Sequence, residues 1–230
     1  MIAVEFCITD IQGAYLAAQY DATRVELCVD LNVGGLTPSY GLIEACSAIV
    51  ETHVLIRPRG GNFVYNEEEM TIIRADILQA HLAGATGIVF GCLGEKNELH
   101  LAANESILAL AEQLELQTTF HRAFDFIQNP KSALDTLIDW EVKRILTSGQ
   151  QQSALLGKKE LIDIVKQANG NIEIMAGGGV HPDNAEEILS SGVNALHCSI
   201  HKHSNSSANM GEAIVYDLEK IKGMIEFKNG

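Results

Sequence analysis

The stretch HVLIRPRGGNFVY, residues 53–65, sets two arginines around a proline at the end of an apolar run. Arg57 and Arg59 have the same parity, so in an extended chain both leave one face. Two guanidiniums so close together need solvent or shared anions. Earlier in the chain, VEFC and VELC present the same Glu-x-Cys pattern: Glu5 with Cys7, and Glu26 with Cys28. The i, i+2 spacing places each glutamate and its cysteine on one face of a strand. A carboxylate facing a packed interior is costly unless paired, so Glu5, Glu26, Arg57 and Arg59 are expected to form a charge network across adjacent strands. The same arginines could equally receive a substrate anion.

A second constellation is FHRAFD. His121 and Asp125 share parity, and Arg122 points the other way if the strand stays regular. An imidazole beside a carboxylate can act as a general acid or base near neutrality. It can also be a metal ligand or a hydrogen-bonded core histidine. A third is MAGGGV, where Gly177 and Gly178 let backbone amides approach an anion closely. Ser148 in LTSGQ and Ser199 in LHCSI stand at comparable places. An enzyme built from these parts would use Glu26, Arg57, His121 and Asp125 for chemistry. Arg59, Arg122, Ser148, Gly177, Gly178 and Ser199 would then hold a small anionic molecule, phosphorylated ones included, for an isomerase- or lyase-type reaction. Schiff-base chemistry finds no lysine at a strand's C-terminal end, since Lys143 opens its strand. Zinc spacing is also missing, and His201 and His203 in HCSIHKHSN read as surface loop.

The elements that must position these residues alternate. Strands are predicted near 2–8, 24–30, 53–58, 87–93, 117–123, 142–147, 172–177 and 195–200, each followed by a helix-forming segment. Thr37 is predicted to cap the second helix with Pro38 as its first residue, Asn66 to cap the third, and Gly84 to end it. Eight β–α repeats at this spacing predict a (β/α)8 TIM-type barrel forming a single domain over 1–230. A doubly wound open sheet would need a Gly-rich turn after its first strand, but that strand ends CITD. In a barrel the C-terminal strand ends carry the chemistry, and most of the residues above stand there.

Of the 230 residues 47% are hydrophobic, and the formal net charge is −14. Such a charge argues against nucleic-acid and anionic-membrane partners, which require a basic face. No apolar run approaches the length of a transmembrane helix. The opening MIAVEFCITD lacks a basic region and carries Glu5 inside its apolar run, unlike a signal peptide. Five cysteines without CxxC spacing suit a reducing compartment. The expected location is cytoplasmic.

With VEFC, RVELC, VGGLTPSYG, VLIRPRGGNFVY, GIVFGCL, TFHRAFD, RILTSG and MAGGGV in this order, the sequence resembles the CutC family, named for copper homeostasis. It departs from the family at Asp21-Ala22-Thr23-Arg24, where Gly-Ala-Asp commonly precedes the arginine, and the region past Ser199 matches less distinctly. The resemblance implies a cytosolic TIM-type barrel, often a homodimer. It also implies copper(I) bound by Cys7 and Cys28, a soft ion on soft donors. Buried free cysteine equally packs as a small hydrophobe. The partner is then either a copper ion or a small anionic ligand.

Overall fold

The computed structural model describes residues 2–202, 207–208, 211–212 and 215–229. Eight parallel strands close into one barrel in sequential order, with the eighth hydrogen-bonded to the first. They are β1 Ala3–Ile8, β2 Arg24–Leu27, β3 Thr52–Leu55, β4 Gly87–Phe90, β5 Gln117–Phe120, β6 Arg144–Thr147, β7 Glu173–Ala176 and β8 Ala195–Ser199. The helices are α1 Ile11–Gln19, α2 Tyr40–Ser47, α3 Glu67–Leu82, α4 Leu101–Gln113, α5 Pro130–Asp139, α6 Lys158–Ala168, α7 Pro182–Leu189 and α8 Leu218–Asn229. This is the (β/α)8 TIM-type barrel predicted from the repeats. Among the described residues no helix is long and apolar enough to cross a membrane.

Strand parity explains the layering. Val4, Phe6 and Ile8 of β1 and Val25 and Leu27 of β2 are fully buried in the main apolar core, whereas Glu5, Cys7, Glu26 and Cys28 alternate with them and turn into the barrel. The barrel's lower interior is polar. Arg24 bonds Glu5 at 2.5 Å and Glu173 at 2.9 Å, and Arg144 bonds Gln117 at 2.9 Å and Thr119 at 3.2 Å. Lys143 lies directly before β6, at the end opposite the mouth.

Most strands end sooner than the apolar runs suggest, because their last residues bend outward into the βα loops. β3 stops at Leu55 and β5 at Phe120, so Arg57, Arg59 and His121 lie past their strands and Arg122 opens a 3-10 turn. Asn66 caps α3 in a full capping box with Glu69, and Gly84 follows its end at φ +88°. α2 starts later than predicted. Ser39, not Thr37, caps it, accepting from the Leu42 amide, because Thr37 instead bonds both backbone groups of Arg57.

Candidate functional site at the barrel mouth

A cavity of about 330 Å³ opens at the C-terminal end of the barrel. Cys7, Glu26, Cys28, Arg57, His121 and His197 are on its wall, with Arg122, Gly178, Ser199 and Lys220 at its margin. Residues from seven separate strand ends and α8 thus meet in one space.

The thiols come from neighbouring strands. Cys7 Sγ and Cys28 Sγ lie 3.6 Å apart, both buried. The hydrogen bond to Cys28, together with burial, keeps the Cys7 thiol well above its ordinary value. A metal held by these two sulfurs alone would be two-coordinate. At metal–sulfur bonds of about 2.3 Å, however, a 3.6 Å separation corresponds to a sulfur–metal–sulfur angle of roughly 100°. That geometry is bent and leaves room for a third donor, whereas a linear site would need the sulfurs about 1 Å further apart.

His197 is the residue that organises the site, and sequence reasoning passed it over. It stands on β8 between Glu5, whose Oε1 is 2.8 Å from Nδ1, and Glu26, whose Oε2 is 3.3 Å from Nε2. Burial opposes charge on this imidazole, but contact with the Cys7 sulfur, Glu26 and Glu5 outweighs it and raises the pKa well above the usual histidine value. His197 is therefore an imidazolium held between two carboxylates. Glu5 goes the other way: despite burial, the bond to His197 and the charge of Arg24 keep it ionised. Burial pushes Glu26 up to about 7, with the Glu5 charge adding to that and His197 opposing it. Glu26 can thus exchange a proton near neutrality. Cys7, Glu26 and His197 offer three donor atoms within 4.8 Å of one another, but both nitrogens of His197 already face carboxylates. The signal was available: His197 shares parity with Ser199 in the eighth strand.

The expected network of Glu5 and Glu26 with Arg57 and Arg59 is not the one that forms. Arg24, on β2 beside Glu5, supplies the guanidinium instead. Arg57 has left the strand, and its terminal nitrogens bond the carbonyls of Val33, Gly35 and Gly61 at 2.6–2.9 Å. Arg59 lies outside the cavity, ion-paired with Glu69, bonded to Val64 O and stacked over Tyr65.

The FHRAFD segment turns into a 3-10 helix over Arg122–Phe126, so strand parity fails there. His121 caps it, its Nδ1 accepting from the Ala123 amide at 3.1 Å. Burial and the nearby charge of Arg57 lower its pKa to about 3, so it is neutral. Asp125 does not reach the cavity. Its carboxylate accepts from Arg122 Nε, the Thr147 hydroxyl, and the amides of Ser148 and Gln150. Ser148 is fully buried and joins this knot by accepting from Arg122 Nη2. The Gly177 amide is tied to Thr147 O, while Gly178 lines the cavity at φ +100°. His201 is not a loose surface loop: it is half-buried, pairs with Tyr216 in a short antiparallel ladder and bonds Thr9 and Ser199. His203 lies outside the described residues.

Comparison with known proteins agrees with the fold. The CutC family model matches residues 2–202. A family protein CutC of Vibrio vulnificus (strain YJ016) is 44% identical over 199 residues, covering 85% of this chain and 80% of that protein. The copper homeostasis protein cutC homolog of Mus musculus is 38% identical, covering 95% and 84%. A crystal structure of CutC from Streptococcus agalactiae superposes with a TM-score of 0.81 at 37% identity, over 86% of this chain and 98% of that one. A thiamine phosphate pyrophosphorylase from Pyrococcus furiosus, at 15% identity and TM-score 0.60, shares the barrel fold alone. The chain belongs to the CutC family.

Proposed function

We propose that this chain serves copper homeostasis by holding copper(I), as cargo, on Cys7 and Cys28. The observation that carries the reading is the 3.6 Å approach of two buried sulfurs at the mouth of the barrel. Thiolate donors select soft ions such as copper(I) over the harder divalent metals. The His197 hydrogen bond to Cys7 opposes, without overcoming, the burial and the Cys28 contact that disfavour the thiolate a metal requires. Glu26, a hard oxygen donor, suits copper(I) poorly and instead serves as the local acceptor for a displaced thiol proton. The name of the mouse relative points the same way. The proposal takes the protein as cytoplasmic and homodimeric, as the resemblance implies, and light scattering checks the dimer.

Anaerobic copper(I) titration against a chromophoric competitor tests the site. One ion per chain is expected, with binding lost in a Cys7→Ser/Cys28→Ser double variant that still melts cooperatively. Binding that survives in that variant removes the two-cysteine site.

A further inference from the structure

Arg57 is a buried cation without an acidic partner. It is 5% exposed, and among the described residues no carboxylate pairs with it. Its terminal nitrogens bond only backbone carbonyls, its face lies 5.1 Å from the Phe63 ring, and its buried Nε has no hydrogen-bond partner. Buried charges are ordinarily paired, and this one borders the cavity. His121 repeats the pattern. Because Nδ1 accepts from the Ala123 amide, the neutral ring carries its proton on Nε2, and that buried N–H also has no acceptor.

On the opposite side of the mouth, after β7, the chain turns through Gly178 and Gly179 at φ +100° and +71°. Among the described residues the amides of Gly178, Gly179 and Val180 donate to nothing. Successive free amides in such a turn form a concave anion seat. Arg122 adjoins it: a Cβ placed on Gly178 would lie 3.2 Å from its Nη1. Nε and Nη2 of Arg122 are engaged by Asp125 and Ser148, which aim the guanidinium. Lys220, from α8, lines the same cavity. The cavity wall is therefore rich in donors, and Glu26 is the one carboxylate lining it among the described residues. In a chain of net charge −14 this wall nevertheless gathers Arg57, Arg122 and Lys220.

We propose that the mouth binds a small phosphorylated molecule. Its phosphate sits on the Gly178–Val180 turn beside Arg122 and Lys220, and a second acceptor, a carboxylate or carbonyl, reaches across to Arg57 and His121. A cavity of about 330 Å³ takes a metabolite of a few carbons. The phosphate end fits the usual anion position of such barrels, at the loops after the seventh and eighth strands. Cys7 and Cys28 line the same cavity but supply none of these contacts, and the proposal does not rest on the copper reading.

Isothermal titration with 2-phosphoglycolate, inorganic phosphate and glycolate tests it, using the native protein and the Cys7→Ser/Cys28→Ser variant. Phosphoglycolate is expected to bind saturably and tighter than either fragment, equally in both proteins. Lys220→Met, which keeps the apolar stem, is expected to weaken phosphate and phosphoglycolate by roughly tenfold, the size of one charge-assisted hydrogen bond. Arg57→Met is expected to erase the advantage of phosphoglycolate over phosphate while leaving phosphate itself unchanged. If Arg57→Met does not fold, His121→Leu serves the same comparison. Absence of saturable binding by any probe, or affinities unmoved by Lys220→Met, overturns the proposal. Loss of phosphoglycolate binding in the double cysteine variant would also overturn its independence from the thiols.

Discussion

His197 Nδ1 lies 2.8 Å from Glu5 Oε1, across the seam where β8 meets β1. Glu5 is fully buried, and its other oxygen takes the Arg24 guanidinium. One carboxylate thus balances two cations inside the barrel, and the side that faces the mouth fixes the protonation of His197. Removing that charge leaves Arg24 to Glu173 alone and His197 to Glu26 alone. Glu5→Gln is therefore expected to cost about 3 kcal/mol, the scale for breaking a buried pair. Urea unfolding at neutral pH measures it. A loss within the range of a surface pair, about 1 kcal/mol or less, would show that the pair is not the clamp described here.

The buried histidines set the acid limit. His121 has its folded pKa lowered from 6.5 to about 3 by burial and by Arg57. Its contribution to stability is full above 6.5 and is lost as pH falls toward 3. His53 and His201, lowered chiefly by burial, act in the same direction. Glu5, held low, adds a loss below 4.5. Glu26 opposes them: its raised pKa gives stability present below 4.5 that is lost as pH rises through about 7. His197 is likewise stabilising below 6.5, losing that effect only as pH climbs through its raised value. Stability is expected to fall from pH 6.5 downward and more steeply below 4.5. His121→Gln should remove close to one proton from that slope, about 1.4 kcal/mol per pH unit. An unchanged slope in urea midpoints across pH 4–7 would place the acid sensitivity elsewhere.

Copper(I) affinity should itself depend on pH. Metal replaces the proton of each ligating thiol, and Cys7 is protonated throughout the neutral range because of Cys28 and burial. Affinity is expected to rise at least tenfold per pH unit between 6 and 8, as one or more protons are released per ion bound. Competitor titrations at three pH values give the slope. A flat profile would mean that Cys7 does not surrender a proton and is not a ligand.

The barrel was legible because its signals are local: short apolar runs alternate with helix-forming segments, and most helices begin at a capping side chain. The partners inside the barrel were not. Glu5 and Glu26 could be recognised as inward-facing, but choosing Arg57 over Arg24 as the partner required knowing where β3 ends. Arg24 sits in register beside Glu5, whereas Arg57 lies two residues past the last paired position of its strand. His121 and Asp125 were expected to share a face by parity, and that rule stops applying once the chain enters the 3-10 turn. His197 was hidden by attention to the hydroxyl two positions on. Lys220 could not have been placed by strand logic at all, since it arrives from α8 after a segment with no pairing signal.

Gly91 shows how tightly the histidine is seated. A Cβ built there would lie 2.7 Å from both Cε1 and Nδ1 of His121 and 3.1 Å from the Ala123 methyl. Gly91→Ala must therefore push the imidazole off the Ala123 amide and so uncap the turn that carries Arg122 and Asp125. Overpacking of this kind costs about 1–3 kcal/mol. The contact predicts its own control: in a His121→Ala background the space is open, and Gly91→Ala should cost little. A double-mutant cycle by thermal or urea unfolding reads the coupling between the two positions directly. Copper(I) affinity should be the same in all four proteins, because the atoms nearest the added Cβ belong to His121 and Ala123 and not to Cys7 or Cys28. Equal cost of Gly91→Ala with and without the imidazole would mean that the glycine is required for the backbone of the loop after β4, and that His121 is not what it makes room for.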